Sequence, residues 1–430
     1  MHSYAYVADS RLDETRRALG LQTSGGRGPH PRFFTGFLGD SQQSATALLA
    51  IAKVAGTRYF QPTTERLRDP VVTCNGDRLR FESFSGCCGV YARLDVLSGA
   101  LDGEVHDRGT TNVDVNEPLR RALARVTKGD PLHLTVGPDQ VEFGTLDGAV
   151  VEKKVPLPPR WLRGFAETQV LTSRFDLKAE LSSVDAQRFL KTLPKGRAAV
   201  WAVPSGKSLR LSGTASANAV CLAGPNRLET LIPLLRFAKA VRLYGPPADG
   251  KPVASGWEVD LGSQRLTLVL SPEVNRGLSG EGAVLDGLAA GDADTDAELI
   301  GALLDFEPRV DVADLADRSG LAVGRVRDAL AQLGTAGRVG YDLAEASYFH
   351  RELPYEGADV QAMNPRLRNA KALVEQGAVT WDGDTALVGD YRVNGETCTC
   401  QWWAEYRGGR GKCKHVLAAD MVAEKIREKA

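Results

Sequence analysis

No uninterrupted apolar run in this chain is long enough to span a bilayer. The best candidate, Ala45 to Ala52, is cut by Lys53, so no membrane contact is expected. The opening residues MHSYAYVADSRLDETRR lack an apolar stretch and reach charge at once, so no secretory leader is expected and a cytoplasmic setting is. Net charge is also missing: 53 Lys and Arg stand against 54 Asp and Glu, so the whole molecule is no polyanion binder and any basic surface must be local. Catalytic signatures fail one by one. There is no HExxH. Gly206-Lys207-Ser208 ends like a phosphate-binding loop but has Trp201 where its first glycine should be, and Gly277-Leu-Ser-Gly-Glu281 begins like a nucleophile elbow and fails at its last position. His2, His30, His106, His133 and His350 are scattered without partners. No enzyme is expected.

What the chain does have is a metal-ligand pattern. Cys398-Thr-Cys400 is followed by twelve residues and then Cys413-Lys-His415. In an extended strand, residues two apart share a face, so Cys398 and Cys400 converge while Thr399 points away. In a reducing cytosol, clustered Cys and His read as metal ligands rather than as disulfides. Three thiolates and one imidazole make a closed tetrahedral site that favours Zn2+ over the oxygen-seeking cations. One structural zinc is therefore expected. With all four ligands bound it has no open position at which to activate water.

The stretch Tyr391 to Asp420 resembles the SWIM-type zinc finger, whose signature is CxC, a variable gap and CxH. The resemblance implies a strand before the first pair and a helix after the second. Tyr391 and Val393 alternate as in a strand, and Val416 to Ile426 carries apolar residues at helical spacing. SWIM modules bind nucleic acid or partner proteins without catalysis of their own. Trp402, Trp403 and Tyr406 are interleaved with Arg407, Arg410, Lys412 and Lys414, against Glu405 alone. Two readings stand at this point. The loop stacks bases and grips backbone or a partner protein, or its cations offset the thiolate charge while a tryptophan packs under the metal.

The rest reads as an α+β multidomain protein, since 430 residues exceed one ordinary core. Residues 1–165 form a first α+β domain. Within it a strand at Thr111–Val115, a helix at Glu117–Val126 capped by Asn116, and three strands end at the prolines of 156–160. Residues 166–286 repeat that order: Phe175–Leu181, a helix from Ser183 to Leu193, three strands, then a helix at Arg227–Ala238 and a closing hairpin. Strand, helix, three strands, twice over, is similar to the unit of sliding-clamp folds, an analogy of fold that leaves function open. Residues 287–296 suit a linker. Residues 297–357 look like a winged helix-turn-helix, with Arg325 and Arg327 on its third helix as candidate nucleic-acid contacts. The carboxylates of Glu298, Asp305, Glu307, Asp311, Asp314 and Asp317 argue instead for protein contact or intramolecular packing. Residues 358–430 complete the zinc domain.

Two further phrases, Phe81-Glu-Ser-Phe-Ser-Gly-Cys-Cys-Gly-Val-Tyr-Ala-Arg-Leu-Asp95 and Phe349-His-Arg-Glu-Leu-Pro354, are more loosely similar to bacterial SWIM proteins associated with MoxR-type AAA ATPases and von Willebrand A-domain proteins. That resemblance implies a non-enzymatic adaptor whose zinc loop recognises a partner protein. The alternative is a DNA-binding protein that uses the zinc loop together with the clamp-like body. Vicinal Cys87 and Cys88 point to opposite sides of an extended chain and read as packed residues, with a redox pair as the other reading. The oligomeric state is not legible.

Overall fold

The computed structural model describes residues 11–13, 18–20, 31–60, 70–247, 251–278, 282, 284–285, 293–353 and 364–427. The expected linker lies outside them up to residue 292. The architecture is α+β, built on an eight-stranded antiparallel sheet. Its strands run in the order Asp176–Leu181, Ala240–Gly245, Ser255–Asp260, Gln264–Leu270, Val90–Leu97, Arg78–Phe84, Val71–Cys74, Gly109–Asn112. Residues expected as two domains meet at its centre, where Gln264 pairs with Val96 and Leu270 with Val90. One hydrophobic core runs from Phe33 to Leu270, so the two units share a sheet and a core rather than touching across a linker.

Period-two alternation fixes what each face does. Leu79, Phe81, Leu94, Val96, Leu266 and Leu268 line up on one face, where helix α1 (Ser41–Gly56) lays Leu48, Ile51 and Val54 over them. The strand–helix–three-strand order is found twice. Gly109–Asn112 is followed by α2 (Glu117–Arg125) and strands His133–Val136, Gln140–Thr145 and Gly148–Lys153. Helix α3 (Pro159–Thr172) separates the two units. Asp176–Leu181 is then followed by α4 (Ser183–Lys191) and strands Ala199–Ser205, Ser208–Ser212 and Val220–Ala223. Ser182 caps α4 by accepting from the Asp185 amide.

Two expectations are corrected here. The prolines at 156–160 do follow the last strand of the first unit, Gly148–Lys153, but they also open a helix that was not expected: Pro159 occupies the first position of α3, where its missing N–H costs nothing. The helix expected at Arg227–Ala238 is a 3-10 segment, Pro225–Leu234, with Pro233 inside it.

The opposite face of the great sheet carries Arg80, Glu82, Arg93, Asp95 and Arg265, a row that alternation alone assigns to solvent. It is buried. Helices α5 (Ala293–Leu303), α6 (Val312–Ser319) and α7 (Val323–Thr335) and the hairpin Val339–Asp342/Ser347–His350 occur in the order expected of a winged helix-turn-helix, around a core of Ile300, Leu315, Val326, Leu330 and Val339. Of the alternatives left open for this segment, the hairpin shows intramolecular packing: it is pressed onto the charged face of the sheet. Asp342 inserts between Arg80 (3.0 Å), Arg93 (3.0 Å) and Arg265 (3.1 Å), with no solvent exposure. Glu345 pairs with Arg78 and Arg265, Arg351 with Glu82, and the Phe349 ring lies 3.9 Å under the Arg80 guanidinium. The phrase 81–95 and the described part of the other, residues 349–353, supply opposing sides of this contact. Among the described residues no helix is long and apolar enough to cross a membrane.

Candidate metal centre

The C-terminal module is too small to hold itself by apolar burial alone. Helix α8 (Pro365–Glu375) leads into a four-stranded antiparallel sheet of Val379–Asp382, Thr385–Val388, Tyr391–Asn394 and Thr397–Cys398. Short helix α9 (Gln401–Tyr406) and the longer α10 (Lys414–Arg427) follow. Ala386, Val388 and Val393 face Val416 and Leu417 of α10 and Leu367 of α8. The same small core continues onto Ala166 and Val170 of α3 and onto Val284 and Leu285. Helix α3 is therefore both a wall of the body and the floor of the zinc module.

Cys398 closes the last strand, Cys400 begins α9, and Cys413 and His415 straddle the start of α10. Their ligand atoms all lie within 4.8 Å of one another, and all four residues are buried. Cys398 Sγ stands 3.7 Å from His415 Nδ1. A tetrahedral zinc with Zn–S near 2.3 Å and Zn–N near 2.0–2.1 Å has ligand–ligand edges of roughly 3.6–3.8 Å, so the spacing fits the ion. Backbone amides point at the sulfurs. Trp403 N–H donates to Cys400 Sγ at 3.4 Å, and Val416 N–H to Cys413 Sγ at 3.5 Å, contacts that favour thiolate. Without a cation, burial pushes the Cys398 thiol up to about 12 and the Cys413 thiol upward, and it lowers His415 to about 4. The pocket thus penalises free thiolates while keeping the imidazole neutral, and a bound divalent cation resolves that penalty. The four residues would hold one structural zinc. The Tyr391 ring stacks on His415 at 4.3 Å and closes the site from outside.

The loop residues divide. Trp402 is not a free stacking platform: the guanidiniums of Arg366 and Arg410 lie 4.7 and 5.6 Å from its ring, and Tyr406 packs at 4.4 Å. Trp403 is half-buried against the small core. Lys412 pairs with Asp420 at 3.0 Å, Lys414 is half-buried at the start of α10, and Arg407 is exposed. Arg407 itself turns the chain, ending α9 in the left-handed region at φ 44°. On α7, Arg325 is held by both oxygens of Asp296 (2.6 and 2.7 Å). Arg327 lines a separate groove with Arg309, Tyr341 and Tyr348. The structure therefore does not bring Arg325 and Arg327 to the zinc loop.

Three residues unnoticed in the sequence fix the module. Arg366 donates to the carbonyls of Arg410 and Lys412, Arg276 donates to the Gly409 carbonyl at 2.9 Å, and buried Glu167 accepts from the Gly282 amide at 2.7 Å. Glu167 had a visible signal: it is a carboxylate beside Phe165, Ala166 and Val170, on a helical apolar period.

Residues 379–419 match the family described as SWIM zinc finger. No curated protein matches. Solved structures similar to this chain include the Proliferating Cellular Nuclear Antigen of Entamoeba histolytica, at 12% identity and TM-score 0.39, covering 56% of this chain and 99% of that one. The PCNA2-PCNA3 complex of Sulfolobus tokodaii matches at 11% identity and TM-score 0.39, with the same coverage.

Proposed function

We propose that the chain is a non-enzymatic adaptor whose SWIM zinc finger, stapled by one zinc, presents a fixed surface to a partner protein. Four buried protein donors within 4.8 Å of one another would fill a tetrahedral zinc and leave no coordination position for substrate or water, which supports a structural role. The observation that carries the protein-partner reading is where the nucleic-acid candidates point. Trp402 lies between Arg366 and Arg410, Arg325 is locked to Asp296, and the hairpin that would serve as a wing is buried on the sheet. A duplex needs cations and aromatics free at the surface, and here Trp402, Arg410, Lys412 and Arg325 are engaged by neighbours within the chain. The looser resemblance nominates MoxR-type AAA ATPases and von Willebrand A-domain proteins as partners.

Binding of purified, zinc-loaded chain to purified proteins of those two classes tests the reading, beside a duplex oligonucleotide arm. The expected result is a protein complex that persists between about 50 and 200 mM salt. Oligonucleotide binding that falls steeply over that range and is lost in Arg407→Ala with Lys414→Ala would establish the DNA reading instead.

A further inference from the structure

The four-stranded sheet of the zinc module ends on an open strand. Val379–Asp382 pairs with Thr385–Val388 on one side only, and the register runs without a bulge. The ladder fixes what its free side offers. Gly389 N–H donates to the Ala378 carbonyl, so in this register Ala378, Thr380 and Asp382 turn backbone groups toward the neighbouring strand. The N–H and C=O groups of Val379 and Trp381 therefore point outward. Sheet edges are ordinarily blunted by lysine, proline or a bulge. None of these interrupts Val379–Asp382, and Thr380, Trp381 and Asp382 are exposed.

Alternation puts the Val379 and Trp381 side chains in the rows of Val388 and Ala386, on the face that packs against α10. Val388 and Ala386 are buried there, whereas Trp381, one strand farther out, is 42% exposed. A further strand laid along this edge would cover its ring.

Charge decides which strand that is. Residues 379–398 carry Asp382, Asp384, Asp390 and Glu396 against Arg392 alone. All four carboxylates are exposed, and none is ion-paired among the described residues. Arg392 lies two strands in from the edge, in the row of Leu387 and Thr380 and on the face away from Trp381. Such a surface repels a phosphate backbone, and it repels the same edge of a second copy. It attracts a segment bearing lysine or arginine.

We propose that this edge accepts an extended, basic segment of a partner protein as a fifth strand. Resting on the adaptor reading above, the contact has three parts. Backbone bonds to Val379 and Trp381 hold the segment, its cations face Asp382 and Asp384, and an apolar residue covers the Trp381 ring. Cys398 ends the last strand of the same sheet, so the zinc staple also keeps the edge in place.

Hydrogen exchange of the full zinc-loaded chain, with and without a heptapeptide of alternating Lys and Val, tests this. Zinc content is measured on the same samples. Exchange at the Val379 and Trp381 amides should slow saturably by about tenfold or more, while Thr380 and Asp382, already bonded within the sheet, change little. The matching Glu–Val peptide should protect neither. Val379→Pro removes one outward donor at the first residue of an edge strand, where proline is tolerated, and should abolish the protection of Trp381. One zinc and unchanged exchange at Thr380 show that this variant has folded. Asp382→Lys with Asp384→Lys leaves the backbone alone and should weaken binding about tenfold. No saturable protection by the Lys–Val peptide, or equal protection by the Glu–Val peptide, overturns the proposal. A duplex oligonucleotide that protects the same amides overturns it too. A complex with purified partner proteins that forms equally well in Val379→Pro removes the edge from the interface and leaves the adaptor reading standing. Lys–Val protection without any such complex upholds the edge and overturns the choice of partners.

Discussion

Asp342→Asn perturbs the contact that joins the C-terminal half to the sheet. Burial alone would raise the pKa of Asp342, but the charges of Arg93, Arg80 and Arg265 outweigh it and hold the carboxyl well below its usual range. The side chain is therefore ionised at neutral pH, and asparagine removes one charge with little change of volume. Arg80 and Arg93 keep Asp95, at 2.5 and 3.0 Å, and Arg265 keeps Glu345 at 3.0 Å. One buried guanidinium charge is left uncompensated. Removing one partner from a buried pair costs about 3–5 kcal/mol. The chain has several cores and does not have to unfold in one step, so the assay is hydrogen exchange at the amides of Val339–Asp342 and Ser347–His350. Exchange through opening of the hairpin should accelerate by roughly two to four orders of magnitude. The sign with pH is fixed. A depressed native pKa contributes stability above the unfolded carboxylate value of about 3.9 and loses it as pH falls through that value toward the native one. The gap between wild type and variant should hold at neutral pH and shrink below about pH 4. A loss under about 1 kcal/mol, or a gap of the same size on both sides of pH 4, would refute the reasoning.

His350 gives a second pH signature. Burial, helped by the charge of Arg338, pushes it down to about 3 from an ordinary 6.5, so its contribution is full above 6.5 and lost as pH falls through that value toward 3. Hairpin stability should decline by up to about 1.4 kcal/mol per pH unit in that window, and His350→Gln should flatten the slope measured by hydrogen exchange. Glu167→Ala removes the acceptor of the Gly282 amide and should loosen the zinc module from α3 by about 1.5–3 kcal/mol, seen as faster exchange at 282–285 with zinc content unchanged. Gly411 has φ 71°, and a Cβ there would collide with the Gly282 carbonyl, so Gly411→Ala should release the same contact to protease. Gly129→Ala, at φ 92° in open space, should cost only about 1–2 kcal/mol of local backbone strain and leave that contact alone.

The zinc ligands were legible because their information is local. Two residues apart on a strand, and two more at the start of a helix, need no knowledge of the remaining chain to be read as one site. The strand order of the body was legible for the same reason, since alternation and turn residues mark each strand where it stands. What failed was non-local. Arg80, Glu82, Arg93 and Asp95 alternate with Leu79, Phe81 and Leu94 as a solvent-facing row would, and nothing near them announces that Asp342 and Arg351 will cover them. Trp402 and Arg410 read as a binding pair from composition, yet their geometry depends on Arg366, some forty residues upstream. Helix α3 was missed because its opening prolines were read as a stop rather than as a start.

Native mass spectrometry of the full chain, with zinc quantified in parallel, bears most directly on the SWIM finger as a closed structural site. One zinc per chain is expected. Cys398→Ser, Cys413→Ser and His415→Ala should each lose it and unfold residues 379–419, while the eight-stranded sheet keeps its exchange protection. Full zinc occupancy in Cys413→Ser, or a wild-type module that stays folded and protected after the metal is stripped, would contradict it.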